Sequence, residues 1–525
     1  MPPVFCHQAA WLQYRAFKQK TESIMFKNFH GFHLVEAYHK TRRENRSQKS
    51  SVNKHLITAL ILLVVTLIIW NLPASVFGIT GLTVVQQRII AIFILATLMW
   101  ITEVVPSWAT SIFIMVILLL FTSNSGIKPM VNEEQVGTLL SYKDIMASFA
   151  DPVIMLFLGG FVLAIAASKT GLDVHLARVL LKPFGTKSEN VLLGFILITG
   201  FFSMFVSNTA TAAMMLTFLA PVFKQLPPEG KGRIAMTLSI PLAANLGGMG
   251  TPIGTPPNTI AMKFLNDPDG LNMGIGFGEW MLFMLPLVIV LLFIGWFLLK
   301  TMFPFSQKTV YLEIESNLEK TKQTKIVIWT FIVTVLLWLT DSLTGINANT
   351  VALIPFAVFA MTGVINKYDL EEINWSVIWM VAGGFALGYS LNASGLAENA
   401  VKSIPFNTFS PILILVLSGL ICYILSNFIS NSATAALLMP ILAIVCGAMG
   451  DKLDAIGGTA TVLIGIAIAS SSAMVLPIST PPNALAFSTN LVEQKDMSRM
   501  GLIVGILSMA LGYALLYLIG RAHLF

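Results

Sequence analysis

The chain has 525 residues, of which 55% are hydrophobic and only 11% are charged. This composition, with continuous apolar runs such as 56–70 and 281–299, excludes an ordinary soluble domain and predicts a bundle of membrane-spanning helices. The net charge of +6 does not indicate nucleic-acid binding, because the cations lie between apolar runs rather than on one basic face. The three cysteines have neither the pattern of a disulfide framework nor metal-ligand spacing.

The first 54 residues are polar and basic, with a dense group of cations at 39–46. The apolar stretch that follows comes too late for a signal peptide and has no small-residue cleavage site after it. We therefore predict a cytoplasmic basic tail at 1–54 and an extra first transmembrane helix at 55–86. Met25 is an alternative start of the protein.

The apolar runs predict an all-α polytopic membrane protein with about 11 transmembrane helices. These spans lie near 55–74, 87–103, 107–122, 150–170, 232–262, 278–303, 325–343, 350–366, 373–398, 457–490 and 498–520. Two further stretches, 189–223 and 409–442, are too long for one plain span and carry a polar break in the middle. We predict that each is a re-entrant hairpin, which enters and leaves the membrane on the same side.

Lysines and arginines test this topology. Most of those near the predicted spans fall on the side of the N-terminus if both hairpins are re-entrant. This bias predicts a cell-membrane protein with a cytoplasmic N-terminus and an external C-terminus. If either hairpin were a full span, every later loop would change sides.

Several motifs occur twice in the same order. They are Gly159-Gly160-Phe161 and Gly383-Gly384-Phe385, Ser207-Asn208-Thr209 and Ser430-Asn431-Ser432, and Thr255-Pro256-Pro257-Asn258 and Thr480-Pro481-Pro482-Asn483. We predict two inverted repeats, at 87–303 and 325–525, joined by a cytoplasmic linker at 304–324. Inverted repeats with interrupted apolar segments are typical of transporters whose site lies near the bilayer midplane. The glycine pairs are interpreted as positions of close helix packing.

The Ser-Asn motifs lie at the breaks of the two hairpins and indicate an anion site. The amino end of a half-helix attracts an anion without the free-energy cost of a buried lysine or arginine. Hydroxyl and amide side chains then fix the orientation of the bound anion through directional hydrogen bonds. The predicted anion ligands are Asn208, Thr209, Thr211, Asn431, Ser432 and Thr434. The alternative is that these side chains only make interhelical hydrogen bonds, which the matching second copy disfavours.

A cation site requires the opposite atoms, namely carbonyl and neutral side-chain oxygens without helical partners. Segment 247–254 is glycine-rich and interrupts a predicted span beside the first tip, and 473–478 occupies the corresponding place in the second half. Such hard oxygen ligands suit sodium. Ser203 and Ser426 each precede a tip serine by one helical turn and can add a hydroxyl. The proline pairs are interpreted as holding each break open.

The paired tips and paired Thr-Pro-Pro-Asn loops resemble those of the divalent anion:sodium symporter family, which includes sodium-dicarboxylate and sodium-citrate cotransporters. The resemblance runs from about residue 55 to the end. It implies a homodimer of scaffold and transport domains that works by an elevator motion. It also implies that Asn208, Thr209, Asn431 and Ser432 contact substrate carboxylates. The implied sodium ligands are Ser203, Ser207, Asn208, Gly248 and Gly250 at one site, and Ser426, Ser430, Asn431, Ala473 and Val475 at the other.

The second tip departs from the family motif, because Ser432 stands where the full motif has threonine. The hydroxyl is kept and a methyl is lost, so we expect binding to persist with an altered substrate fit. The expected function is sodium-coupled uptake of a C4-dicarboxylate such as succinate, malate or fumarate. Sodium-independent dicarboxylate exchange and citrate or sulfate transport are alternatives within the family. A membrane enzyme or a channel is the alternative from another class, but no nucleophile–base pair or phosphate loop is evident.

Overall fold

The computed structural model describes residues 49–133, 135–227, 230–268, 270–311, 321–403 and 408–522. Helices make up 77% of the structure, and no β-strand occurs in these ranges. The all-helical prediction is therefore confirmed. Most of the predicted basic tail, including Met25, and part of the predicted linker lie outside the described residues.

The first half begins with the extra helix and continues to the end of the first predicted repeat. Its helices are α1 (Lys49–Trp70), α2 (Val84–Thr102), α3 (Ser107–Phe121), α4 (Lys128–Val131), α5 (Tyr142–Ala147), α6 (Pro152–Lys169), α7 (Leu172–Leu181), α8 (Ser188–Ser203), α9 (Asn208–Phe218), α10 (Ala220–Gln225), α11 (Lys231–Gly248), α12 (Pro256–Leu265) and α13 (Phe277–Met302). The predicted span at 232–262 is thus two helices, because the glycine-rich segment ends α11 and the proline pair begins α12.

The second half follows the same order of long, short and interrupted helices. Its helices are α14 (Lys322–Leu339), α15 (Asp341–Thr344), α16 (Ala348–Met361), α17 (Trp375–Ala393), α18 (Leu396–Ser403), α19 (Pro411–Phe428), α20 (Asn431–Met449), α21 (Thr459–Ser471), α22 (Pro481–Ser488) and α23 (Gln494–Arg521). The predicted span at 457–490 is likewise two helices, with α22 beginning at a proline pair.

Eight segments in the described part of the chain are long and apolar enough to cross a membrane. They are Val84–Thr102, Tyr142–Lys169, Phe277–Met302, Lys322–Leu339, Trp375–Ala393, Pro411–Phe428, Asn431–Ile456 and Gln494–Arg521. Shorter apolar helices are also present, among them α3, α8, α16 and α21. The count of about 11 spans stays a prediction. So does the re-entrant character of the second hairpin, since both of its arms are long enough to cross.

Helix packing between the halves is reciprocal. Helix α3 packs along α17, and α6 packs along α16. The repeated motifs make α6 the counterpart of α17, and chain order makes α3 the counterpart of α16. Each contact is therefore the counterpart of the other, which is the pattern that a two-fold relation between the halves would produce.

The glycine pairs explain how closely these helices approach. A β-carbon on Gly159 would lie 2.2 Å from the Ala352 carbonyl oxygen on α16. A β-carbon on Gly383 would lie 2.4 Å from the Ser111 β-carbon on α3. No larger residue fits at either crossing, so the prediction of close helix packing at these glycines is confirmed.

The interrupted helices also pack reciprocally. Helix α12 contacts α20 and α21, and in the same way α22 contacts α9 and α11. The second arm of each hairpin therefore lies against the short helix that begins in the Thr-Pro-Pro-Asn motif of the other half. This arrangement gathers both hairpin tips and both broken segments into one cluster.

Candidate functional site

The first hairpin tip presents the amino end of a helix. Helix α8 ends at Ser203, and α9 begins at Asn208 after a short turn. Ser207 caps α9, because its hydroxyl accepts a hydrogen bond from the Ala210 N–H at 3.2 Å. The N–H groups of Asn208 and Thr209, in the first turn, have no partner within the helix by position. This is the geometry expected of an anion-binding tip.

The second tip is built in the same way. Helix α20 begins at Asn431, and the Ser430 hydroxyl accepts from the Ala433 N–H at 3.2 Å. Ser432 therefore occupies the same first-turn position as Thr209 in the first half. The Thr434 hydroxyl donates to the Ser430 carbonyl at 3.3 Å, one turn back along the helix.

Three predicted cation ligands of the first half lie together. The Ser203 hydroxyl is 2.7 Å from Asn208 Oδ1 and 2.8 Å from the Ala244 carbonyl oxygen, and it donates its proton to one of them. Gly248 faces the same amide, since a β-carbon there would lie 2.7 Å from Asn208 Oδ1. A β-carbon on Gly250 would lie 3.2 Å from the side chain of Met204, so Gly250 also lies beside the tip.

Asn258 holds the first broken segment open. Its Nδ2 donates to the carbonyl oxygens of Gly248 at 3.0 Å, Met249 at 3.3 Å and Thr251 at 2.8 Å. The residue is fully buried. The sequence interpretation credited the prolines with holding the break and missed this amide. The signal was present, because asparagine is the side chain in the repeated motif that can donate to freed carbonyls.

We expect Asn258→Ala to destabilise the segment that contains Gly248. The substitution leaves the buried Gly248 carbonyl without its donor, which costs about 1–3 kcal/mol. The Met249 and Thr251 carbonyls each lose one donor but keep the Trp280 indole N–H and the Gly254 N–H, respectively. Thermal unfolding of the purified protein in detergent measures the effect, and sodium-driven uptake is expected to fall with it. Asn392→Ala is the matched control, because Asn392 is exposed at the end of α17. Equal melting temperatures for the two variants would contradict the role of Asn258.

The second broken segment is attached to its tip by a different residue. Asn427 Oδ1 accepts from the Val475 N–H at 2.9 Å, and the Ser479 hydroxyl lies 3.0 Å from the Asn427 carbonyl oxygen. Asn483 Nδ2 donates to the carbonyl oxygens of Met474 at 2.8 Å and Leu476 at 3.1 Å. Val475 therefore reaches the tip through Asn427. The sequence interpretation missed Asn427, because Met204 occupies the equivalent place in the first half and the repeat carries no signal there.

Several oxygens in the cluster are buried and have no hydrogen-bond partner among the described residues. They are Thr211 Oγ1 and Asn258 Oδ1 in the first half, and Asn431 Oδ1 in the second. Buried oxygens of this kind are normally satisfied, so they mark positions where a bound group can supply the missing interaction. All of them are neutral oxygen atoms, which is the ligand type that sodium accepts.

Residues that the sequence analysis placed in one set of ligands differ in burial and in hydrogen bonding in the structure. Thr209 is exposed at the first tip, whereas Thr211 is fully buried behind it. Ser207 and Ser430 use their hydroxyls as acceptors for helix caps. Ala473 is buried in the second segment and can offer only its backbone.

Comparison with known proteins identifies relatives along nearly the whole chain. The family model described as the sodium:sulfate symporter transmembrane region matches residues 53–521. The sodium-dependent dicarboxylate transporter SdcS of Staphylococcus saprophyticus is 29% identical over 513 residues, covering 91% of this chain and 93% of that protein. SdcS of Staphylococcus aureus strain USA300 is 30% identical over 459 residues, covering 80% and 83%.

Solved structures offer more distant similarity. The YdaH transporter of Alcanivorax borkumensis aligns with a TM-score of 0.49 and 13% identity, covering 72% of this chain and 87% of that one. The Neisseria gonorrhoeae protein MtrF aligns with a TM-score of 0.48 and 14% identity, covering 78% and 94%. Similarity at this level carries no argument about function.

Proposed function

This chain belongs to the sodium:sulfate symporter family, and from that membership we propose that it couples sodium to the uptake of a C4-dicarboxylate such as succinate, malate or fumarate. It is a multi-pass membrane transporter and not an enzyme. The observation that carries the proposal is the pair of capped helix amino ends, which lie in one cluster with buried, unpaired neutral oxygens. The sodium-dependent dicarboxylate transporters among the relatives support the substrate class.

The two tips account for the anion. Each helix amino end is equivalent to about half a positive charge and offers free N–H groups. A dicarboxylate has two charged ends, and the cluster has two such tips. The proposed substrate ligands are Asn208, Thr209, Thr211, Asn431, Ser432 and Thr434. Sulfate and citrate are the competing cargoes, and the family description itself names sulfate.

The broken segments account for the cation. The proposed sodium ligands are Ser203, Ser207, Asn208, Gly248 and Gly250 in the first half and Ser426, Ser430, Asn431, Ala473 and Val475 in the second. None of these residues carries a charge, so the site offers no full positive charge to a dianion. Bound sodium offsets the dianion, and the dianion in turn favours sodium, because opposite charges attract strongly in a low-dielectric interior. This mutual dependence is the physical basis of the proposed coupling.

The remaining features of the proposed architecture follow from the charge bias and the family resemblance. The N-terminus is cytoplasmic and the C-terminus external. The cytoplasmic tail at 1–54 precedes the extra helix, the inverted repeats at 87–303 and 325–525 contain hairpins 189–223 and 409–442, and 304–324 is the cytoplasmic linker. We propose a homodimer in which the interrupted helices form a transport domain that moves as an elevator against a scaffold.

Uptake by reconstituted vesicles tests the function. We expect an inward sodium gradient to drive accumulation of labelled succinate, and replacement of sodium by potassium to reduce it to the level of empty vesicles. Unlabelled malate and fumarate should compete more strongly than citrate or sulfate. Succinate uptake that ignores the sodium gradient but accelerates with internal succinate would instead identify an exchanger.

A further inference from the structure

A buried amide in the first half reaches into the second half of the site. Asn245 lies on α11, three residues before Gly248, and is only 2% exposed. Its Nδ2 lies 3.1 Å from Thr480 Oγ1 and 3.2 Å from Asn483 Oδ1, and it donates to both. Both acceptors belong to the second Thr-Pro-Pro-Asn motif. Asn245 therefore forms a direct hydrogen-bonded contact between the broken helices of the two halves.

The partners of Asn245 hold the second broken segment. Asn483 Nδ2 donates to the carbonyl oxygens of Met474 and Leu476, and its backbone N–H donates to Thr480 Oγ1 at 3.3 Å. The helix that carries Asn245 ends at the first broken segment. A continuous set of hydrogen bonds thus runs from the end of α11 to the carbonyls of the opposite segment.

The second half has no equivalent of this contact in the described structure. The repeat places Ser470 at the position of Asn245, and the Ser470 hydroxyl donates within its own helix to the Ala467 carbonyl at 3.1 Å. The counterpart of Asn483 Oδ1 is Asn258 Oδ1, which is buried without a hydrogen-bond partner there. Among the described residues, this hydrogen-bonded contact between the two halves is therefore made by Asn245 of the first half and has no counterpart made by Ser470 of the second.

We propose that Asn245 is a positioning residue that couples the two cation-binding segments, so that sodium at one segment favours sodium at the other. The inference rests on the proposed function. Asn245 itself binds no ion. Sodium at the first segment orders the end of α11, the amide of Asn245 then fixes Asn483, and Asn483 holds the carbonyls of the second segment in place. Coupling between two sites typically changes affinity by about 5- to 150-fold.

The sodium dependence of succinate uptake tests this coupling. We expect the intact protein to respond sigmoidally to sodium, with a Hill coefficient above one. Asn245→Leu keeps a similar shape and removes the donor, and Asn245→Ser introduces the residue that the repeat places on α21. Both are expected to lower the Hill coefficient relative to the intact protein and to raise the half-saturating sodium concentration about tenfold, while the maximal rate at saturating sodium is largely retained. A purely structural role would lower the maximal rate and leave the Hill coefficient unchanged.

Ser470→Ala is the matched control, because it removes the hydroxyl at the position equivalent to Asn245, which donates to the Ala467 carbonyl and takes no part in the contact with Thr480 and Asn483. It should preserve the sigmoidal response. Thr480→Val removes one acceptor from the opposite side and tests the same contact if the Asn245 variants fail to fold. The Hill coefficient of Thr480→Val is expected to lie between that of the intact protein and those of the Asn245 variants. An unchanged Hill coefficient in the folded variants, or a hyperbolic response of the intact protein, would overturn the coupling alone. Uptake by the intact protein that does not depend on sodium would overturn the proposed function itself.

Discussion

Replacement of Asn208 by alanine is expected to abolish sodium-driven succinate uptake while leaving a folded protein. Asn208 Oδ1 lies 2.7 Å from the Ser203 hydroxyl, and the amide packs directly against Gly248. The substitution removes an oxygen from the proposed sodium site and an amide from the proposed substrate tip. Each hydrogen bond to a charged group contributes about 1.5–3 kcal/mol, so losing two such contacts predicts a decrease of about 100-fold or more.

The measurement is initial uptake by vesicles that contain equal amounts of each variant. Asn392→Ala makes the same chemical change on an exposed part of α17 and is expected to transport normally. Asn431→Ala, at the second tip, should lose transport as Asn208→Ala does, because both tips are required for a two-ended anion. Normal uptake by Asn208→Ala and Asn431→Ala would remove the site assignment. A symmetric elution peak in gel filtration distinguishes loss of function from loss of folding.

Gly248→Ala is expected to reduce transport nearly as strongly, although it adds a single methyl group. The new β-carbon would lie 2.7 Å from Asn208 Oδ1, 3.0 Å from Asn208 Nδ2 and 3.2 Å from the Gly254 carbonyl oxygen. Carbon and oxygen atoms do not approach this closely, so the Asn208 amide must leave Ser203 or the segment must shift. A displacement of about 1 Å at a binding site can cost about 100-fold in rate.

Gly447→Ala is the control for this substitution. Gly447 lies on α20, and a β-carbon there meets no atom within 4 Å. Alanine at this position is expected to be tolerated, and it can stabilise the helix by about 0.5–1 kcal/mol. If Gly248→Ala transports succinate as well as Gly447→Ala does, then the position of the Asn208 amide beside Gly248 is not needed for transport.

The equivalent of Gly248 in the second half is Ala473, which already carries a β-carbon. The two segments therefore do not have the same geometry, although they share a motif. In both halves a segment hydroxyl donates to the tip backbone, Thr251 to the Met204 carbonyl and Ser479 to the Asn427 carbonyl. Only the second half adds a side-chain contact, in which Asn427 Oδ1 accepts from the Val475 N–H. These differences predict that the two proposed sodium sites have unequal affinities.

Local patterns were sufficient to predict the helical class and the helix interruptions. Long apolar runs require helices, because a membrane leaves no other way to satisfy the backbone. The Ser-Asn tips and proline pairs occur where the structure has helix starts, since serine caps a helix and proline suits its first turn. The glycine pairs were also interpreted correctly as positions where two helices pack closely, because the absence of a side chain at glycine can be read from the sequence itself.

Contacts between distant residues could not be predicted in this way. Asn427 and Val475 are 48 residues apart, and Asn245 and Thr480 are 235 apart. Asn427 and Asn245 both lack an identical counterpart in the other half, so the internal repeat did not mark them. Their roles became visible only when the packing of the two halves was known.

The sequence alone therefore determined the helical class and the positions of the helix breaks, because these depend on hydropathy, capping and proline within a few neighbouring residues. The family came from the resemblance of the paired motifs. Only the tertiary structure decided which amides hold each broken segment, that Thr211 is buried whereas Thr209 is exposed, and that a hydrogen bond from Asn245 joins the halves. The physical reason is that a hydrogen bond depends on distance and direction between two groups. For groups far apart in the chain, those quantities are set by how the helices pack.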